Sequence, residues 1–186
     1  MRVIAGKYRS RNLQSLPGNE TRPTYDRLKE TLFNVLQSAG AIEGSAFLDL
    51  YAGTGSVGIE ALSRGAERVI FVESNKKAAN LIRANLTSLN IDEEANVIHE
   101  EAADALPMLM RSNEQFDVVF LDPPYALAGE YGRSLRLLGS GTLLKPNALV
   151  IAEHDKRFEP GEDHAPLQRY RRLEQGDSAL SFYRVV

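Results

Sequence analysis

Two short stretches of this 186-residue chain hold residue types that do chemistry when brought together. The first is Asp49-Leu50-Tyr51-Ala52-Gly53-Thr54-Gly55-Ser56-Val57-Gly58, a Gly-x-Gly-x-x-Gly pattern between an apolar run and a helical one. Glycines there let the backbone turn tightly and approach a ligand closely, because no Cβ intervenes. Glu73 ends the next apolar run, 20 residues beyond Gly53, where an acid suits hydrogen bonding to both hydroxyls of a ribose. Loop and acid together predict an adenosine-containing ligand; the plainer alternative is a set of packing glycines and a capping acid. Asp49, just before the loop, would repel a pyrophosphate but could face a cationic ligand, which favours S-adenosylmethionine over a dinucleotide.

The second stretch is Asp122-Pro123-Pro124-Tyr125. An amino group on a purine is a poor nucleophile because its lone pair is delocalised into the ring. A carboxylate accepting one N–H, with a backbone carbonyl accepting the other, pulls the nitrogen toward tetrahedral geometry and frees that pair. Two prolines fix the carbonyl's direction and add no competing donors. Tyr125 can stack on the base and hold it in line with a methyl donor. Taken alone, Asp-Pro-Pro is also an ordinary strand-terminating turn; the glycine loop upstream is what raises it above one.

The elements that must position these residues alternate. Ala46–Tyr51, Arg68–Glu73, Val97–Ile98, Phe116–Leu121 and Ala148–Ala152 read as strands. Helices are predicted from Ser56 to Arg64, after a cap at Ser74 or Asn75, and from Ala103 to Met110 with Pro107 in the first turn. In the tail, Gln168–Glu174 and Ala179–Val185 flank Gln175-Gly176-Asp177-Ser178, a hairpin pattern. The sum is a doubly wound α/β protein with a mostly parallel, seven-stranded Rossmann-like sheet, closed by a C-terminal antiparallel hairpin. Ligands in such sheets bind beyond the carboxyl ends of the strands, where both stretches lie.

The chain reads as one domain, with residues 1–40 as a small basic extension and helix, and 41–186 as the core. Arg2–Ile4 and Arg11–Leu16 can pair as a hairpin around Gly6-Lys7, followed by a helix from Thr24 or Asp26 to Gly40. The net charge is −3, unevenly spread: seven basic and three acidic residues precede Thr31. That asymmetry fits an arm that binds phosphates, or simply a solvated segment. There is no cysteine, and the three histidines are not spaced as metal ligands, so no metal is expected. No apolar run is long enough to span a bilayer and the N-terminus lacks a secretory pattern, so a cytoplasmic protein is expected.

Gly53-Thr54-Gly55, Glu73 and Asp122-Pro123-Pro124-Tyr125 resemble the class I amino-methyltransferases. More narrowly, Thr21-Arg22-Pro23-Thr24-x-Asp26-Arg27-x-Lys29-Glu30-x-Leu32-Phe33-Asn34 resembles the N-terminal signature of the RsmD family. Leu48 to Gly55 and Gly58-Ile59-Glu60-Ala61-Leu62-Ser63-Arg64-Gly65-Ala66 are similar to that family too. The resemblance implies S-adenosylmethionine-dependent methylation of the exocyclic N2 of a guanine in bacterial 16S ribosomal RNA, free or in a small-subunit particle. It implies Asp49, Tyr51, Ala52, Gly53, Thr54 and Gly55 at the cofactor, with Glu73 and Ser74 on its ribose. Asp122 to Tyr125 would surround the target amine, and Arg22 and Thr24 would lie near the methionine end or the RNA entrance. Many class I enzymes place Asp-Ala against the adenine; here the matching pair is Glu101-Ala102, with Asp104-Ala105 as the alternative. Lys7, Arg9, Arg11, Arg22 and Arg27 are the expected RNA contacts.

Three rival readings carry different expectations. An amino-methyltransferase acting on adenine in DNA or on a protein glutamine shares the (Asp/Asn)-Pro-Pro-Tyr turn but not the Thr21–Asn34 segment. A nicotinamide-dependent oxidoreductase leaves that turn without a role. A non-catalytic RNA-binding module leaves both halves of a reaction site unexplained.

Overall fold

Apolar runs too short to be helices pair side by side, and the helical stretches between them cover the two faces that result. The computed structural model describes residues 1–16, 23–124 and 127–186, with only the backbone of residues 23 and 24. Its strands are β1 (Ala46–Leu50), β2 (Arg68–Val72), β3 (Ala95–Ile98), β4 (Phe116–Leu121), β5 (Leu144–Asp155), β6 (Asp163–His164), β7 (Leu167–Gln175) and β8 (Ser178–Val185). They form one sheet in the order β3-β2-β1-β4-β5-β8-β7-β6. The first five are mutually parallel; β8, β7 and β6 add on as antiparallel strands. From β1 the chain winds outward to β3, then crosses back to β4 on the other side of β1. The cleft at that reversal, beyond the carboxyl ends of β1 and β4, is where such sheets bind ligands.

One face is covered by α1 (Pro23–Ser38), α2 (Ser56–Ser63) and α3 (Lys76–Ser88), the other by α4 (Ala102–Arg111) and α5 (Gly129–Ser140). α1 buries Leu28, Leu32, Phe33 and Leu36, each at most 2% exposed. Burying each such side chain contributes about 1.5–3 kcal/mol, enough to seat the helix on the sheet. α3 starts where Asn75 caps it, accepting from the Lys77 and Ala78 amides at 2.9 and 3.2 Å.

α2 is buried on every side, because the N-terminal arm covers the side the sheet does not. The arm is a short hairpin, with Arg2 bridged to Asn12 and the Val3 amide donating to the Arg11 carbonyl. Glu60, fully buried, accepts from the Ile4 and Ala5 amides and from Arg64. At the arm's turn, Gly6 (φ +81°) lies so close that a Cβ would sit 1.7 Å from the Ser63 carbonyl oxygen.

Four details depart from the sequence expectation. The two-residue β6 makes eight strands rather than seven; two residues carry no periodicity to read. α5 was not anticipated, its buried Tyr131, Ser134, Leu135 and Leu138 being diluted by glycines. Pro107 sits inside α4, in its second turn rather than its first. β5 starts before Pro146-Asn147, where an irregular register against β4 and a left-handed Asn147 (φ +67°) absorb the extra residues. Among the described residues no helix is long and apolar enough to cross a membrane.

Candidate active site

The loop after β1 is set by three residues in left-handed backbone: Tyr51 (φ +69°), Gly53 (φ +56°) and Gly55 (φ +76°). The Ala52 amide donates to the Val72 carbonyl, and Gly55 closes a tight turn onto the Ala52 carbonyl at 2.7 Å. Gly55 then begins α2. Gly58, one turn along, packs so closely that a Cβ would meet the Phe71 ring at 2.3 Å, so this third glycine serves helix–sheet packing.

Asp49 lies beneath this loop rather than in the open cavity. It is 2% exposed, and its Oδ2 accepts from the Gly58 amide at 2.8 Å. Burial pushes its carboxyl up to about 8, against the Gly58 hydrogen bond, which pulls it down. Glu73 closes the loop from the next strand. Its two oxygens accept from the Gly53 and Asn75 amides, each at 2.7 Å, so one carboxylate fixes both the glycine turn and the entry to α3. Each oxygen retains a further lone pair for a ligand hydroxyl.

Loop, Glu73 and the end of β4 open onto one cavity of about 360 Å³, within the range of small-molecule sites. Of the sequence-predicted residues, Tyr51, Gly53, Glu73 and Ser74 line one side, and Glu101 and Ala102 another. Asp122, Pro123 and Pro124 complete the lining. Asp104 does not line the cavity, so the structure brings Glu101 to it and not the alternative. Ala52, Thr54 and Gly55 shape the loop without lining it; the Thr54 hydroxyl points to the Met1 sulfur, 3.4 Å away. Tyr51 reaches Glu130 and Ser134 of α5 through its hydroxyl, at 3.0 and 2.9 Å. Arg22 and Tyr125 lie outside the described residues, as does the side chain of Thr24.

Tyr25, Val72, Glu100 and Glu153 also line the cavity and were not among the predicted site residues. Tyr25, at the start of α1, places its hydroxyl 3.2 Å from the Ser56 hydroxyl. Glu153, on β5, is 6% exposed and faces the same space. Leu121 pairs with Ala152 in parallel register, so Asp122 and Glu153 leave adjacent strands side by side. Tyr131 ties these strand ends together, donating to the Glu153 carbonyl at 2.8 Å and lying 3.5 Å from the Pro123 carbonyl. Burial raises the Asp122 carboxyl to about 7, and burial together with the Asp122 charge raises Glu153 well above its usual range. Burial also raises the Tyr25 hydroxyl, reinforced by Glu153 and opposed by Ser56. Glu153 lies one residue past the predicted strand Ala148–Ala152, with no motif around it; Tyr25 is an unspecified position within the Thr21–Asn34 signature.

The donor set fits a cationic adenosyl ligand. Five carboxyls line the cavity (Glu73, Glu100, Glu101, Asp122 and Glu153), and no basic residue joins them among the described lining. A pyrophosphate would find no basic side chain to pair with among that described lining. A Cβ on Gly53 would have nothing within 4 Å, so the glycine leaves open space at the cavity wall.

The expected RNA contacts are not gathered around this cavity. Lys7 and Arg9 are exposed on the arm's turn, where the Lys7 amide donates to the Ser63 carbonyl at the far end of α2. Arg11 donates to the Ser88 carbonyl, at the corresponding end of α3. Arg27 is exposed on α1.

Comparison with known proteins is consistent across the whole chain. The family model described as Conserved hypothetical protein 95 matches residues 1–184. Ribosomal RNA small subunit methyltransferase D of Haemophilus influenzae is 44% identical over 157 residues, covering 84% of this chain and 79% of that one. The solved structure of yhhF from Escherichia coli, described as a methyltransferase, superposes with a TM-score of 0.83 at 31% identity, covering 100% of this chain and 97% of that one. A more distant fold neighbour, described as a methyltransferase and solved in complex with SAH, has a TM-score of 0.70 at 17% identity, covering 89% and 50%. With its glycine loop, Glu73 and Asp-Pro-Pro turn on one cleft and a relative this similar over most of its length, the chain belongs to the RsmD family of methyltransferases.

Proposed function

We propose that this chain uses S-adenosylmethionine to methylate the exocyclic N2 of a guanine in bacterial 16S ribosomal RNA, in the cytoplasm. The observation that carries the reading is the shared cavity: Asp122, at the end of β4, opens onto the same space as the glycine loop clamped by Glu73. The small-subunit substrate is the one in the name of the Haemophilus influenzae relative. Support for the cofactor comes from the acidic lining, and from the fold shared with a protein solved with SAH.

When bound, S-adenosylmethionine supplies an electrophilic methyl group on a sulfonium. Glu73 would hold its ribose, the backbone at Gly53 would lie against it, and Glu101 with Ala102 would border the adenine. Asp122 accepts one N–H of the target amine, and a carbonyl of the Asp-Pro-Pro turn accepts the other. Both pull on the nitrogen's protons and return its lone pair from the ring. The amine proton displaced by methylation leaves to Asp122 or to water. Tyr125 would stack on a base presented out of its helix.

Nucleoside mass spectrometry of 16S ribosomal RNA from a strain lacking the gene tests the reading. One N2-methylguanosine should disappear and return with the wild-type gene. An intact N2-methylguanosine pool, or loss of a methyladenosine instead, would overturn it.

A further inference from the structure

The mechanism above uses one of two carboxyls at the end of the central strands. The second, Glu153, is nine-tenths buried, and its side chain makes no hydrogen bond or ion pair with any described residue. A buried acid left so is costly unless something else partners it, and this one faces the cavity. Its aim is fixed by its backbone: Tyr131 holds its carbonyl, and Leu180 of β8 pairs beside it. The register puts it next to Asp122, one strand spacing away, or roughly 4.8 Å.

Two side-by-side acceptors match a particular base edge. Guanine presents N1–H and N2–H as adjacent, parallel donors. Adenine offers a lone pair at N1, and so do purines that carry a 2-amino group without the 6-oxo group. We propose that Glu153 is the specificity-determining residue of this pocket, accepting the guanine N1–H while Asp122 accepts the N2–H. This inference rests on the guanine-N2 reading of the site. The guanine N1–H favours the ionised form of Glu153, which can only accept, whereas a protonated Glu153 would have a donor to offer. A purine with an N1 lone pair would set that lone pair against a carboxyl oxygen, and sites built around such hydrogen bonds reject the mismatched analogue strongly.

The test is methyl transfer to a ribosomal RNA fragment carrying guanine or 2-aminopurine at the target position. 2-Aminopurine keeps the amine but has an unprotonated N1. With Glu153 ionised, toward the alkaline end of the assay range, the wild type should prefer guanine by about 100-fold or more in kcat/KM. Glu153→Gln adds an N–H donor at nearly constant shape. Its preference should fall at least about tenfold, with 2-aminopurine gaining in absolute rate, because the amide can now donate to N1. Its thermal stabilisation by S-adenosylmethionine should equal that of the wild type, which also reports that the variant is folded. Equal wild-type rates on the two purines would overturn the proposal without any variant. So would an unchanged preference in Glu153→Gln, or a lost thermal shift, which would put Glu153 on the cofactor instead. A wild-type enzyme that leaves guanine N2 unmethylated fails at the control, and that outcome removes the functional reading itself.

Discussion

Asp49 and Asp122 are both carboxyls whose burial favours the protonated form, yet they sit in different places and answer to different experiments. Asp49 is raised to about 8 and Asp122 to about 7, from an ordinary value of 3.8. Across that window the folded chain keeps protons that the unfolded chain releases. Stability therefore falls as pH rises through it. The melting temperature of the ligand-free protein should drop between pH 5.5 and 8.5, and Asp49→Asn should flatten the drop; a wild-type profile that rises with pH would contradict this. The proposed role of Asp122 is in turnover. Its carboxylate accepts best when ionised, so single-turnover rates should climb through about pH 7 and then level, and Asp122→Asn should lose the climb along with most of the rate. The proposed role of Glu73 is to hold the cofactor. A charge-assisted hydrogen bond is worth about 1.5–3 kcal/mol, so Glu73→Ala should weaken S-adenosylmethionine binding roughly 10- to 150-fold by calorimetry. Undiminished affinity would leave Glu73 with only its clamp on the Gly53 and Asn75 amides.

At the scale of elements, α2 is the pivot, because its first turn carries the glycine loop and its last carries the arm. Glu60 joins them, accepting two arm amides and Arg64 in a fully buried position, with the Lys29 ammonium 3.9 Å away. Glu60→Ala would strand those buried cations and amides, costing about 3–5 kcal/mol, measurable by urea unfolding. A loss below about 1 kcal/mol would show that the arm's docking does not depend on Glu60. The same helix shows what could be read from sequence. Its glycines, the strand before it and Glu73 are legible locally, because backbone turns and a short continuous apolar run leave local marks. The arm's docking does not, because it depends on Glu60, Ser63 and Asn85 meeting residues more than fifty positions away. Glu153 and Tyr25 escaped for the same reason. Each enters the cavity through sheet order and helix packing, which neither residue's own sequence position declares. Asp49 was legible as a site residue, but only packing reveals that its carboxylate faces the start of α2 rather than the cavity.

At the scale of the whole molecule, charge and chemistry are separated. The cavity is acidic, while Lys7, Arg9 and Arg11 lie at the far ends of α2 and α3. α2 has eight residues, which puts the two about 12 Å apart along its axis. A folded RNA spans that distance easily. Replacing Lys7, Arg9 and Arg11 together by Ala should therefore raise KM for RNA and reduce the salt slope by about 2–3, leaving cofactor binding unchanged. An unchanged slope in anisotropy titrations would reduce the arm to a structural cover for α2. The central claim is that one cleft brings a methyl donor against a guanine amine held by Asp122. Its most direct test incubates purified protein with unmethylated 16S ribosomal RNA, or small-subunit particles, and methyl-labelled S-adenosylmethionine, then identifies the labelled nucleoside after digestion. The account predicts label in N2-methylguanosine with the wild type and almost none with Asp122→Asn, although that variant still binds the cofactor. Label on adenine, or undiminished N2-methylguanosine from Asp122→Asn, would contradict it.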